Sequence, residues 1–203
     1  MSDNFASDST RQSARADRSP LHEAPLRSEQ LLDGVLLEVY RDEVELPDGQ
    51  TAKREWIDHP GAAAVVPVFE DGSTVLVRQF RYAAGAEFLE VPAGKFDHPG
   101  EAPEEVGRRE LKEETGFRAH TLHRVGATYP AIGYSNEIIH LFVAEDLERT
   151  APDREEGEFM EVVPIGFAEA LEKMRGSEVQ DAKSVAALMM AEAFLRAGAK
   201  ELR

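Results

Sequence analysis

The chain has 203 residues, enough for one domain with a real core, and its formal charge of −16 argues against a broad nucleic-acid surface. It contains no cysteine, which excludes disulfides, thiolate metal sites and cysteine nucleophiles and is compatible with the cytoplasm. No apolar run is long enough to span a membrane, and Met1 to Arg18 lack the apolar stretch of a secretory signal.

In chain order, residues 1–27 are polar and read as a disordered tail. Val35 to Tyr40 and Glu43 to Leu46 read as strand, Pro47-Asp48-Gly49 as a turn, and Thr51 to His59 as the returning strand. Ala62 to Phe69 and Thr74 to Arg81 are β-rich runs joined by Glu70-Asp71-Gly72-Ser73, a hairpin signal. Glu87 to Val91 is a short further strand. A helix is expected over Ala102 to Thr115, with Pro103 in its first turn and Gly116 just past its end. Strands follow at His123 to Ala127, Glu137 to Val143 and Phe159 to Pro164, then helices at Gly166 to Arg175 and Asp181 to Ala197. The fold class this order implies is α+β, a mixed sheet with helices on its faces.

The informative segment runs from Ala93-Gly94-Lys95 through Glu101 to Arg108-Arg109-Glu110-Leu111-Lys112-Glu113-Glu114-Thr115-Gly116-Phe117. On a helix, Glu110, Glu113 and Glu114 fall within an arc of roughly 100°. Glu110 and Glu114 are an i,i+4 like-charge pair, unfavourable on a bare helix. Such crowding makes sense where hard cations sit against the carboxylates, since Mg²⁺ prefers oxygen ligands and keeps waters for substrate phosphates. Arg108, Arg109 and Lys112 also allow a plain solvated face of alternating charge. The glycine-containing loop before the helix favours the cation, because backbone carbonyls near Ala93 can complete an oxygen cage.

This segment resembles the Nudix box: Gly, five residues, Glu, seven residues, then Arg-Glu-apolar-x-Glu-Glu-x-Gly-apolar. Glu101, Arg109, Glu110, Leu111, Glu113, Glu114, Gly116 and Phe117 all match, but six residues rather than five separate Gly94 from Glu101. A turn at Asp97-His98-Pro99-Gly100 is expected to absorb the extra one. Gly61 to Val66, Val77 to Arg81, Glu87 to Gly94, Gly133 to Phe142 and Gly157 to Val162 further resemble the ADP-ribose pyrophosphatase branch of that family.

The resemblance implies a Nudix α/β/α sandwich over residues 60–203 and an N-terminal β extension over 28–59 that pairs two subunits as a homodimer. It implies hydrolysis of ADP-ribose to AMP and ribose 5-phosphate with Mg²⁺ or Mn²⁺. Rival substrates are GDP-mannose and NADH, and the rival class is a non-catalytic ADP-ribose sensor. Glu110, Glu114 and Glu113 would be metal ligands, with the Ala93 carbonyl beside them. Arg109 would orient the carboxylates, or else be a surface partner at helical spacing. Glu101 would reach the catalytic helix, or simply favour its N-terminus. The general base resembles a glutamate in the loop Pro152 to Glu158, with Glu158 the better match and Glu156 the second. Arg81 and Arg54 match positions near the substrate phosphates, against strand-edge salt bridges as the alternative. Trp56 would stack adenine, or pack as a lone Trp usually does. Neither a nucleic-acid nor a membrane partner is expected.

Overall fold

The computed structural model describes residues 19–153 and 157–201, and the chain divides into two units, residues 1–58 and 59–203. Of the expected tail, residues 1–18 therefore lie outside the described residues.

The first unit is an antiparallel meander of β1 (Ala24–Asp33), β2 (Glu38–Glu45) and β3 (Thr51–Asp58). Two expectations are corrected here. β1 begins inside the stretch read as tail, and Val35-Leu36-Leu37, read as strand, form the turn after it. Gly34 N–H closes that turn on the Leu37 carbonyl at 3.0 Å, and the Val35 side chain is fully exposed. Apolar composition alone suggested strand, but the run sits where the chain reverses, and β propensity measures packing that a turn does not offer. The second turn is where the sequence put it: Gly49 takes a φ of 86° and the Asp48 side chain accepts the Gln50 N–H. Across β2 and β3, Tyr40 opposes Trp56 and the rings stack at 5.2 Å.

The second unit is built on β4 (Ala62–Pro67), β5 (Ser73–Arg81), β6 (Ala86–Glu90), β7 (Ala93–Lys95), α1 (Pro103–Thr115), β8 (Phe117–Thr128), β9 (Ile139–Arg149), β10 (Met160–Gly166), α2 (Phe167–Arg175) and α3 (Ala182–Glu201). One sheet is mixed, in the order β7-β4-β9-β8 with β4 parallel to β9. The other is antiparallel, β10-β5-β6. All six residues of β4 are buried because both of its faces are covered. Ala63 and Val65 join Val106, Leu111 and Phe142 in the core under α1. Ala62, Ala64 and Val66 face the opposite core with Leu76, Leu141, Leu188 and Ala191. The alternation of one strand thus holds helices on two sides, the layered arrangement expected from the sequence.

Helix α1 has Pro103 at its start and ends at Gly116 in the left-handed conformation, φ 76°, with its N–H on the Lys112 carbonyl. A Cβ at Gly107 would press on Val65 and Phe142, so this glycine lets the helix approach the sheet closely. Strand β8 is longer than expected, and β7 was not expected at all. No helix among the described residues is long and apolar enough to cross a membrane.

Candidate functional site

The site forms where edge strand β7 meets the acidic face of α1. Ala63 pairs with Gly94 and Ala64 with Ala93, while Val65 N–H donates to the Pro92 carbonyl and Phe96 N–H to the Gly61 carbonyl. Hydrogen-bonded pairs alternate along an antiparallel ladder, so Ala93 and Lys95 turn their backbone groups away from β4. The Ala93 N–H accordingly donates to Glu114 Oε2 at 3.0 Å, and the Lys95 carbonyl accepts from Arg109 Nη2 at 3.1 Å. The Ala93 carbonyl leaves the strand on that same outward side. Gly94 is required by space rather than by φ: a Cβ there would overlap the carboxylate of Glu110.

Arg109 gathers the acidic groups. Its Nη1 donates to Glu110 Oε1 at 2.6 Å and lies 3.6 Å from Glu113, while Nη2 reaches Asp97 at 3.2 Å and Glu101 at 3.4 Å. The residues before α1 fold into a turn, with Gly100 at φ 88° and Asp97 N–H donating to Glu101 Oε2 at 2.9 Å. The longer spacing after Gly94 is taken up there, and Glu101 still meets Arg109.

Burial pushes the Glu114 carboxyl up to about 8, with the charges of Glu110 and Glu158 adding and the Ala93 N–H and Lys183 opposing. Burial likewise pushes Glu110 up to about 7, opposed by Arg109 and helped by Glu113 and Glu158. Glu113 is raised too, burial again leading. Ionising Glu114 in place costs on the order of 5 kcal/mol more than in water, which a cation bound between the carboxylates would offset. Among the described residues, no three acidic or histidine side chains close a cation cage by themselves. An all-oxygen set of two or three carboxylates and a backbone carbonyl, with positions left for water and phosphate, is what Mg²⁺ accepts.

The other sequence candidates are distributed as follows. Glu158 is exposed, and its charge is felt by both Glu110 and Glu114. Glu156 lies outside the described residues. Glu158 also lines a cleft of 460 Å³ with Arg78, Gln79, Phe80, Phe159 and Met160. Arg81, at the end of β5, donates Nε and Nη2 to buried Glu90 at 2.7 and 2.6 Å. In the first unit, Arg54 is bonded in the same two-pronged way to Glu23, and Trp56 Nε1 donates to Asp42 at 2.9 Å. Sequence reasoning gave no role to Glu90, Asp97, Asp181 or Lys183. Only the oddity of an acid in the apolar run Phe88-Leu89-Glu90-Val91 could have pointed to the first.

Gly94→Ala should leave the fold intact, since Gly94 carries no positive φ and the overlapped atoms end a flexible side chain. The Glu110 carboxylate must move aside. We expect a circular dichroism spectrum like that of the unsubstituted chain and at least a tenfold loss of Mn²⁺ affinity by calorimetry. Undiminished Mn²⁺ binding would show that Glu110 is not held in place by this contact.

Comparison with known proteins identifies the family. Residues 58–188 match the NUDIX domain. An ADP-ribose pyrophosphatase of Bacillus subtilis is 41% identical over 170 residues, covering 83% of this chain and 91% of that protein. A methanol dehydrogenase activator of Bacillus methanolicus is 36% identical, over 82% of this chain and 90% of its own. A crystal structure of an ADP compounds hydrolase superposes with a TM-score of 0.78 at 25% identity, covering 90% of this chain and 98% of that one. With the box residues gathered on α1 against β7, the chain belongs to the NUDIX domain family.

Proposed function

We propose that this chain hydrolyses the pyrophosphate bond of ADP-ribose to AMP and ribose 5-phosphate, with Mg²⁺ or Mn²⁺. The observation that carries the reading is buried Glu114 and half-buried Glu110 held against edge strand β7. The substrate follows from likeness to an ADP-ribose pyrophosphatase over most of both chains and to an ADP compounds hydrolase in fold.

Glu110, Glu114, Glu113 and the Ala93 carbonyl would hold the metal, which when bound offsets the charge that builds on the phosphates during attack. Arg109 keeps Glu110 in place through a charge-assisted bond and ties the helix to β7. Glu158, exposed beside these carboxylates, takes the proton from the attacking water. Arg81 presents its remaining guanidinium donors to a substrate phosphate. The cleft beside Glu158 accommodates part of the substrate, with Phe80 and Phe159 as apolar walls. Arg54 and Arg81 are each tied to a glutamate in the same way, and the phosphate contact is assigned to Arg81 first because its guanidinium feels the charge of Glu114.

The first unit is proposed to join two copies. It exposes Leu26, Leu31, Leu32, Leu36 and Leu37, and a three-stranded sheet with so little burial is marginal by itself. Light scattering should give a dimer for the whole chain, and removal of residues 1–58 should give a monomer without activity. An active monomer lacking them would overturn this.

The pH dependence has a definite sign. Glu110 and Glu114 have folded pKa values above their ordinary 4.5, so the bare folded chain binds protons that the unfolded chain has shed. Between about pH 4.5 and 8 these two groups lower stability as pH rises. A divalent cation displaces those protons, so its stabilising effect grows through the same window. Added Mg²⁺ should raise Tm more near pH 8 than near pH 6, and the difference should shrink in Glu114→Gln. A Mg²⁺ increment independent of pH would contradict this.

Among ADP-ribose, GDP-mannose and NADH, ADP-ribose should show the highest kcat/KM, and excess chelator should abolish its turnover. Glu158→Gln should lower kcat roughly 10²–10⁴-fold while leaving Mn²⁺ binding nearly unchanged. Glu114→Gln should lose both. If Glu158→Gln retains full kcat, the base is elsewhere, and Glu156→Gln is the next variant to measure.

A further inference from the structure

Behind Arg81 stands a buried chain of charges. Glu90 is only 1% exposed and receives two hydrogen bonds from Arg81 on one side and one from Lys183 Nζ on the other. Lys183 Nζ also donates to Asp181 Oδ2 at 2.8 Å. Asp181 in turn accepts the Ser184 N–H at 3.0 Å and its hydroxyl at 2.6 Å, which caps the start of α3. The same Ser184 hydroxyl accepts the Val91 N–H at 2.9 Å, one residue from the Pro92-Ala93-Gly94 segment. The cations Arg81 and Lys183 are thus matched by Glu90 and Asp181, across elements distant in sequence.

The arrangement fixes how Arg81 is presented. Two of its five N–H donors are spent on Glu90, leaving three in a set plane, and 46% of its side chain is exposed. Lys183 lets Glu90 serve as that anchor without a second carboxylate competing for Arg81. Without the ammonium, Glu90 and Asp181 are left with Arg81 as the cation they share, and Arg81 is drawn inward. Lys183 lies 13% exposed, which suits a group that works through its neighbours. Burial of paired charges is by itself a weak source of stability, and the role left to this chain of charges is to orient Arg81.

We propose that Lys183, acting through Glu90, is a positioning residue that holds the Arg81 guanidinium in register for the substrate's phosphate. This rests on the assignment of Arg81 as a phosphate contact made above. The position belongs to α3, outside the box, and the substrate is recognised as a phosphate anion rather than by its base.

The test is a double-mutant cycle on the full chain. Lys183→Met should raise KM for ADP-ribose about tenfold with kcat changed less than about threefold, and Lys183→Arg should restore most of the loss. At saturating Mg²⁺, which removes the direct influence of the Lys183 charge on Glu114, Lys183→Met should add nothing further in an Arg81→Met background, because its remaining effect passes through Arg81. Additive effects, or a fall in kcat with KM unchanged, would overturn the proposal. If Lys183→Met does not fold, Lys183→Gln, which keeps a donor for Glu90, should show the same split. If Arg81→Met leaves KM unchanged while ADP-ribose is still hydrolysed, this proposal fails and the hydrolase reading stands. If the unsubstituted chain cleaves no ADP-ribose, that reading fails, and the cycle is decided on whichever of GDP-mannose or NADH it cleaves.

Discussion

The carboxylate face of α1 lies against the outward backbone of an edge strand, and the rest of the site depends on that contact. Two acids four residues apart repel on any helix. Here they are also taken out of water, and burial is the largest cause of their raised pKa values. The chain offsets part of this with the Ala93 N–H on Glu114 and the Arg109 guanidinium on Glu110. What is left unbalanced is a demand for positive charge at one place. The order of cause runs from strand register to backbone direction to carboxylate position, and only then to metal.

That contact requires the layers around it to be stiff. Strand β4 is buried on both faces, so β7 is paired to a strand that cannot shift without disturbing two cores. Gly107 lets α1 sit low on Val65 and Phe142, and Gly94 leaves room for the Glu110 carboxylate. Between these fixed ends the turn around Gly100 is free to vary in length. It carries one residue more than the family pattern, yet returns Glu101 to Arg109. Local length is therefore a weak constraint here, while the two glycines set how closely α1 and the Glu110 carboxylate approach their neighbours.

The sequence made the box helix legible because periodicity, an early proline and a terminal glycine all agree at residues 102–116. The apolar run Ala62 to Val66, read as strand, is likewise a strand, with its side chains divided between two opposite cores. Other features were not legible, for identifiable reasons. Strand β7 is three residues long, and its existence depends on pairing with β4 rather than on propensity. β1 is exposed along almost its whole length, so it lacks the hydrophobic alternation that marks a strand. Val35-Leu36-Leu37 has the composition of a strand and sits in a turn. In the site, Arg81 was legible as a candidate cation, but its anchor was not. Glu90 and Lys183 are 93 residues apart in sequence, and no spacing rule connects them.

The charge balance of the chain now has a physical account. A protein with a formal charge of −16 repels a pyrophosphate at long range, although salt screens that repulsion beyond about 8 Å. Attraction therefore has to be local. Arg109 is committed to the carboxylates of the box, and Lys183 to Glu90 and Asp181, so neither faces the substrate as a bare cation. Arg81 is divided between its anchor and solvent. The acids that make the surface hostile to an anion are, at Glu110 and Glu114, the same groups proposed above to concentrate a divalent cation. In the proposed reaction the substrate arrives with its metal at these carboxylates, and Arg81 is the cation proposed to meet its phosphate.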